Sequence, residues 1–170
     1  MSQDPTYTEV APVRRDDPRV ARVDGWTNHG NHRIDCPYIT EVGPNFWQGG
    51  CDRRLVLPTF ITSVLSLYPW ERYRFDHEVN LLEVKQLDST DDDPHEVVEL
   101  AEWVRGERDK GPTLVHCQAG LNRSGRVAAV VLMLDGLTAD EAITTLRDKR
   151  SPAVLCNPAF DRWLRELELP

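Results

Sequence analysis

Several features that would assign a function class are missing from this sequence. No apolar run approaches the length of a membrane span, and the N-terminus is polar and contains prolines, unlike a signal peptide. The four cysteines, at positions 36, 51, 117 and 156, never form a CxxC spacing, which argues against structural zinc. The histidines at 29, 32, 77 and 95 also lack metal-ligand spacing. We therefore expect no metal ion and no other cofactor.

Basic residues are also few relative to acidic ones. The sequence has 20 Lys and Arg against 28 Asp and Glu, which gives a formal net charge of −8. Nucleic acids and anionic membranes favour a basic protein face, so this balance argues against either as a partner. There is no internal repeat and no low-complexity segment. The 170 residues, of which 40% are hydrophobic and 28% charged, are typical of one globular domain with a core.

The chain divides into an N-terminal extension, residues 1–33, and one domain, residues 34–170. The extension has scattered prolines and charges and little hydrophobic periodicity. Short apolar segments bounded by turn-forming residues predict strands in the first half of the domain. These predicted strands lie at 38–42, 46–48, 60–67 and 78–87.

Helices dominate the second half of the sequence. They are predicted over 94–110, over 126–134, from 139 to about 150, and from 158 onward. Asp93 and Pro94 are a typical N-cap and first helical residue, and Thr138 with Glu141 forms a capping-box pattern. A further strand is predicted at 113–116. Strands and helices alternate without strict βαβ order, which predicts an α/β domain with a mixed central β-sheet flanked by helices.

The segment most informative about function runs from His116 to Gly125. Cys117 is followed, after five residues, by Arg123 and then by a hydroxyl residue, Ser124. Because an apolar strand precedes this segment and a helix follows it, we expect the loop at a helix N-terminus. Backbone N–H groups and the helix dipole bind anions at such a position. A cysteine at the mouth of the site is then expected to be a thiolate facing a bound phosphate.

Each residue type in this segment suits a step of phosphoryl transfer. Cys117 is the candidate nucleophile, and the planar guanidinium of Arg123 can bind two phosphate oxygens at once. Ser124 is a candidate for a hydrogen bond to the sulfur that helps it leave, and His116 for orienting the loop. Fixed donors stabilise the charge that spreads over the phosphoryl oxygens in the transition state. The expected phosphate-binding residues are Gln118, Ala119, Gly120, Leu121, Asn122 and Arg123.

The pattern His-Cys, five residues, Arg and then Ser resembles the signature of the cysteine-dependent protein tyrosine phosphatase superfamily. The size of the chain is similar to that of the dual-specificity branch, and the resemblance covers residues 34–167. It implies a mixed α/β fold, metal-independent hydrolysis of phosphomonoesters and a phosphocysteine intermediate. The sequence departs from the family in one place. The family usually has a helix between the strands that correspond to 46–48 and 60–67, and here that helix is reduced to a loop at 51–59, which contains Pro58.

The resemblance also implies a general acid, an aspartate on a loop before the cysteine, which protonates the leaving oxygen. Asp88 directly follows the predicted strand at 78–87, where the dual-specificity pattern has its acid, and it is the favoured candidate. Asp91 and Asp92 are the alternatives in the same acidic loop, although charge runs are usually solvated. Asp93 is explained as a helix cap.

These features predict a phosphatase that acts on phosphotyrosine, and on phosphoserine and phosphothreonine if its pocket is shallow, in proteins or on a small phosphomonoester. Two alternatives stay open. The loop Gly120-Leu121-Asn122-Arg123 also resembles that of RNA 5′-triphosphatases in the same superfamily, which gives an RNA 5′-polyphosphatase. A phosphate-binding module without turnover is the other. The loop lacks the two lysines typical of phosphoinositide phosphatases. A reactive thiol needs a reducing compartment, so we expect a cytoplasmic location.

Overall fold

The computed structural model describes residues 22–23, 26–29, 32–52 and 55–170. Within these residues, the strands are Arg22–Val23 (β1), Trp26–His29 (β2), His32–Asp35 (β3), Ile39–Gly43 (β4), Phe46–Gly49 (β5), Ser63–Ser66 (β6), Asn80–Glu83 (β7) and Thr113–His116 (β8). The helices are Pro94–Arg108 (α1), Arg123–Leu134 (α2), Ala139–Lys149 (α3) and Pro158–Glu166 (α4). No helix in this part of the chain is both long and apolar enough to cross a membrane.

Six strands form one mixed sheet in the order β1-β4-β5-β8-β6-β7, and β2 pairs with β3 in a separate antiparallel hairpin. The pairs β1–β4 and β4–β5 are antiparallel, whereas β5, β8, β6 and β7 run parallel to one another. Parallel neighbours need crossover connections, and α1 lies in the crossover from β7 to β8. The predicted mixed sheet flanked by helices is therefore confirmed.

Side-chain alternation along β8 explains why both faces of the sheet are covered. Val115 packs into the cluster that the four helices make with one face of the sheet. Leu114 points the other way, into a second cluster that includes Trp47, Leu57 and Tyr73. β8 is thus buried on both sides.

The loop predicted in place of the family's helix covers this second face. Leu57 N–H bonds to the carbonyl of Arg74 (3.0 Å), and Arg74 N–H bonds to the carbonyl of Leu55 (2.9 Å). Val56 and Arg74 form an isolated parallel bridge at the same point. Two irregular segments therefore hold each other against the sheet, and they frame one side of the site described below.

Helix starts follow the capping residues that the sequence contains. Asp93 accepts a hydrogen bond from His95 N–H at the start of α1. Thr138 and Glu141 make the two reciprocal bonds of a capping box at the start of α3. These two predicted helix starts are confirmed, because local side chains satisfy the backbone donors that a helix leaves unpaired.

The start of α2 differs from the prediction. It begins at Arg123, three residues before the predicted start, so Arg123 and Ser124 lie in its first turn. Gly125 led to the expectation of loop structure there, since glycine disfavours helices. In the structure its lack of a side chain permits close packing, because a Cβ would lie 3.1 Å from Cγ1 of Val154.

Part of the expected N-terminal extension belongs to the main sheet. β1 pairs with β4 at the sheet edge, with Arg22 opposite Thr40 and Val23 opposite Ile39. β3 ends at Asp35, so it crosses the division expected between residues 33 and 34. Residues 1–21 lie outside the described residues. β6 and β7 are each shorter than the strands predicted at 60–67 and 78–87.

Candidate active site

The carboxyl ends of the four parallel strands meet at one edge of the sheet, where open α/β sheets usually bind ligands. His116, the last residue of β8, lies in register between Gly49 of β5 and Ser66 of β6. Cys117 therefore leaves the sheet near its centre. It begins a loop, residues 117–122, that leads directly into α2 and is called the signature loop below.

The carbonyl groups of Gln118, Ala119, Gly120 and Leu121 in the signature loop bond outward to the body of the domain. The donors are Cys51 N–H for Gln118 (2.9 Å), Arg150 Nη2 for Ala119 (3.4 Å), Gln48 Nε2 (3.1 Å) and Arg150 Nε (2.8 Å) for Gly120, and Leu155 N–H for Leu121 (3.1 Å). The C=O and N–H of a trans peptide point in opposite directions, so the amides that follow these carbonyls point to the inner side of the loop. Converging amides at a helix N-terminus form an anion-binding concavity.

Gly120 allows this loop to curl. Its φ is +72°, a conformation that other residues rarely adopt, and a Cβ there would lie 2.3 Å from the carbonyl carbon of Gly49. Gly50 is similarly constrained, because its Cβ would lie 2.8 Å from the carbonyl oxygen of Gln118. The signature loop therefore lies directly on the end of β5, and no larger residue fits at these two contacts.

Arg150 supports the signature loop from behind. It is 5% exposed and donates hydrogen bonds to the carbonyls of Gly120 (2.8 Å) and Pro37 (2.6 Å) and to Thr40 Oγ1 (3.1 Å). Burial lowers the pKa of Arg150, but a guanidinium still remains protonated at any physiological pH. Its fixed positive charge behind the loop favours a bound anion there.

The sulfur of Cys117 is buried next to a serine and a glutamine. Its Sγ lies 3.4 Å from Oγ of Ser124, and Gln48 Nε2 donates to the same Oγ (3.3 Å). Because Gly120 O can only accept, its bond to Gln48 fixes the orientation of the Gln48 amide. Gln48 therefore acts as the donor to Ser124, which leaves the serine proton available for the sulfur. The structure brings Cys117 and Ser124 together, as the sequence predicts.

His116 is fully buried beneath the signature loop. Its Nδ1 lies 3.2 Å from the carbonyl oxygen of Cys117, and its ring meets the edge of Tyr73 with centroids 5.5 Å apart. Desolvation lowers the pKa of His116 from 6.5 to about 4, so the ring is neutral at neutral pH. In the tautomer with Nδ1 protonated it donates to Cys117 O, which fits its expected role in orienting the loop.

Arg123 reaches from the first turn of α2 toward the loop that follows β7. Its guanidinium packs over the ring of Tyr68, 5.1 Å from the centroid, and Nη1 donates to the carbonyl of Gln86 (3.4 Å). Its Nε is buried and has no hydrogen-bond partner within the described residues. An anion in the concavity would satisfy this donor, which otherwise carries the cost of an unpaired polar group.

Residues 86–92, called the acid loop, carry the candidate general acids. Asp88 is exposed and lies two residues after Gln86, whose carbonyl bonds to Arg123. The carboxylate of Asp92 forms an ion pair with Arg126, and that of Asp91 lies 3.3 Å from Ser89 Oγ. Asp92 thus has a structural partner, whereas Asp88 lies where the acid loop contacts Arg123.

Asn122 has a structural partner within the fold. It is 3% exposed, and its Oδ1 accepts a hydrogen bond from Asn157 N–H (3.1 Å), the residue that caps α4. Its Nδ2 is buried without a hydrogen-bond partner in the described structure. The Asn122 side chain therefore joins the end of the signature loop to the start of α4.

The environment of Cys51 contrasts with that of Cys117, although Cys51 also lies beside the signature loop. Burial, followed by the charges of Glu71 and Asp52, raises the pKa of the Cys51 thiol far above its ordinary value. Its Sγ donates to the carbonyl of Glu71 (3.5 Å). Cys51 is therefore held as a thiol by its surroundings and lacks the serine partner that Cys117 has.

Four buried polar residues of the site were missed by the sequence-based assignment: Gln48, Gln86, Arg126 and Arg150. A lone polar residue inside an apolar element was the available signal for two of them. Gln48 follows Phe46 and Trp47 in a buried strand, and Arg126 precedes the apolar segment 127–132 of α2. Gln86 lies in the acid loop after β7 and Arg150 at the C-terminus of α3, where polar residues are common and carry no such signal.

The sequence matches the family model described as dual specificity phosphatase, catalytic domain, over residues 59–169. No curated protein matches it significantly. Similar crystal structures include a mouse putative dual specificity phosphatase complexed with zinc tungstate, with 22% identity and a TM-score of 0.66 over 82% of this chain and 89% of that chain. Human DUSP28 has 20% identity and a TM-score of 0.64 over 76% and 92% of the two chains. The tyrosine phosphatase OH1 from Orf virus has 20% identity and a TM-score of 0.57 over 74% and 83%. These TM-scores show a shared fold.

The burial of His116 predicts a pH-dependent loss of stability. Between pH 6.5 and about 4 the unfolded chain binds a proton at this residue that the folded chain does not. The contribution of neutral His116 to the free energy of unfolding is therefore intact above pH 6.5. Roughly 3 kcal/mol of it is lost as the pH falls to about 4. Urea unfolding of the wild type and of His116→Asn across this range measures it. The asparagine variant should show a shallower pH dependence, and equal slopes would contradict the assignment.

Proposed function

Because the chain belongs to the family of dual-specificity phosphatase catalytic domains, and is thus a cysteine-dependent protein phosphatase, we propose that it hydrolyses phosphotyrosine in proteins, and phosphoserine and phosphothreonine if its pocket is shallow, through a phosphocysteine intermediate. One observation carries this proposal. The Cys117 sulfur lies 3.4 Å from the Ser124 hydroxyl in the first turn of α2, at the start of a loop whose carbonyls bond outward and so turn the following amides inward.

In the first step the Cys117 thiolate attacks phosphorus, so that a P–S bond forms as the P–O bond to the leaving group breaks. Asp88 gives its proton to the leaving oxygen, which departs as an alcohol or phenol. The signature-loop amides and the Arg123 guanidinium hold the phosphoryl oxygens, where negative charge spreads in the transition state.

In the second step the Asp88 carboxylate takes a proton from water as the water oxygen attacks phosphorus. The P–S bond breaks and the electron pair returns to sulfur. Ser124 donates a hydrogen bond to the departing thiolate, and the bond from Gln48 to Ser124 keeps the hydroxyl in that orientation. The thiolate chemistry needs a reducing compartment, which supports a cytoplasmic location.

The contacts of Asn122 bear on the RNA alternative. Its side chain is buried against Asn157, so it has a structural explanation that needs no RNA substrate. The net charge of −8 also gives no general attraction to a polyanion. We therefore favour phosphoprotein substrates, and RNA enters the experiment below as a competing outcome.

We expect Cys117→Ser to abolish phosphate release. We expect Asp88→Asn to slow it by an amount that depends on whether the leaving oxygen needs a proton. On phenyl phosphate, whose phenol needs protonation, Asp88→Asn should reduce the rate of phosphocysteine formation by about 100-fold or more. On dinitrophenyl phosphate, whose leaving group needs no proton, the loss should stay below about twofold. Stopped-flow measurement of phenol release, without added metal, gives these rates.

Matched phosphotyrosine and phosphothreonine peptides and an RNA with a 5′-triphosphate establish the substrate class in the same assay. Release from the peptides supports the proposal, and release from RNA alone would replace it with the polyphosphatase. Undiminished release by Cys117→Ser would exclude the cysteine mechanism. Asp91→Asn tests the alternative acid in the same loop, where its carboxylate contacts Ser89, and it should keep the wild-type leaving-group dependence if Asp88 is the acid.

Replacing the buried amide of Gln48 by leucine should slow the second step more than the first. Gln48→Leu removes the donor to Ser124 but keeps the side-chain volume similar, and Gly120 O retains its bond to Arg150. A hydrogen bond of this kind corresponds to roughly tenfold in rate. Burst kinetics should show a full burst with a slower steady state. Equal slowing of both phases would mean that Gln48 only supports the fold.

A further inference from the structure

The side chain of Arg126 is fully buried, which is unusual for a charged residue. It lies on α2, one turn after Arg123. Its guanidinium packs over the rings of Phe160, 4.9 Å from the centroid, and Trp163, 5.1 Å from the centroid, both on α4. The aromatic faces offset part of the lost hydration and fix where the guanidinium can point.

The hydrogen bonds of this guanidinium join it to the acid loop. Nη1 donates to the carbonyl of Ser89 (3.2 Å), and Nη2 donates to Oε1 of Gln86 (3.3 Å) and forms an ion pair with the carboxylate of Asp92. These partners flank Asp88 on both sides, since Gln86 precedes it by two residues and Ser89 follows it directly. A single buried cation therefore holds the Gln86 side chain on one side of the candidate acid and the Ser89 backbone on the other.

Gln86 connects this cation to the phosphate-binding arginine. Its carbonyl accepts from Arg123 (3.4 Å), while its side-chain oxygen accepts from Arg126 (3.3 Å). The two arginines stand one turn apart on the same rigid helix. Any shift of the acid loop away from Arg123 would also break bonds to Arg126. The position of the acid loop is thus fixed relative to α2, the helix whose first turn carries Arg123.

We propose that Arg126, stacked on α4 and paired with Asp92, positions the acid loop so that Asp88 reaches the leaving-group oxygen. This inference rests on the proposed function of Asp88 as general acid. Arg126 is a positioning residue, since its contacts are with the acid loop and α4. Lysine cannot replace it, because one ammonium group cannot reach the separate acceptors while it stacks on two rings.

Leaving-group dependence separates positioning from simple structural support. We expect Arg126→Met and Asp92→Asn each to slow phosphocysteine formation from phenyl phosphate by about tenfold or more, with less than about twofold loss on dinitrophenyl phosphate. Arg126→Lys should behave like Arg126→Met. The reason is that a displaced Asp88 delivers its proton poorly, which costs rate only where the leaving group needs the proton.

Arg108→Met is the matched control. Arg108 pairs with Asp135 (2.5 Å) where α1 meets the far end of α2, away from the acid loop, and Asp135 keeps its second partner Arg105 (3.1 Å) in the variant. Its leaving-group dependence should equal that of the wild type. The double variant Arg126→Met/Asp92→Asn removes both charges together. It should regain thermal stability relative to Asp92→Asn while its rate on phenyl phosphate stays low.

The parallel Asp88→Asn series keeps the two proposals distinguishable. The rate loss in Asp88→Asn should depend steeply on the leaving group. If it does, and the rate losses in Asp92→Asn and Arg126→Met do not, only the positioning inference is overturned. If Asp88→Asn shows no such dependence, the assignment of the acid fails, and the positioning inference fails with it. Equal losses on both substrates in folded Arg126→Met and Asp92→Asn would reduce the pair to a structural role.

Discussion

The outward bonding of the signature-loop carbonyls is the constraint on which the rest of the site depends. Each carbonyl bonded by Gln48, Arg150 or the backbone of Cys51 and Leu155 turns the next amide toward the loop interior. The conformation of the signature loop is therefore set by the elements that surround it. β5, the segment after α3 and the loop before α4 each supply a hydrogen-bond donor, and together they hold the signature loop in a conformation that it would not keep alone.

Buried cations extend this constraint to both sides of the loop. Arg150 lies behind it, and Arg126 lies one helical turn beyond it under the acid loop. Each guanidinium is expensive to bury and is retained by several acceptors at once. The chain as a whole is acidic, with a net charge of −8, and the charge of Arg126 is balanced by Asp92. The positive charge next to the signature loop therefore comes from Arg123 in the first turn of α2 and from Arg150 behind the loop.

The sequence predicts the parts of this site that depend on local patterns. Helix caps, the apolar strand β8 and the residues of the signature loop are neighbours in the chain, so their spacing indicates their geometry. The start of α2 differs from the prediction because glycine is typical of loops, whereas Gly125 is needed within the helix for close packing against Val154. Gln48 and Ser124 stand 76 residues apart, and Arg126 and Asp92 stand 34 apart. Pairs of this kind depend on the sheet order and on the docking of α4, which local patterns do not specify.

The most direct test of the account is to trap the covalent intermediate. Ser124→Ala should retain the first step and slow the second, so an acid quench during turnover of dinitrophenyl phosphate should capture phosphate on sulfur. Mass spectrometry of the proteolytic peptide that contains Cys117 measures the adduct. The account predicts phosphorylated Cys117 in this variant and none in Cys117→Ser. Turnover that proceeds with Cys117 unmodified, in both wild type and Ser124→Ala, would contradict it.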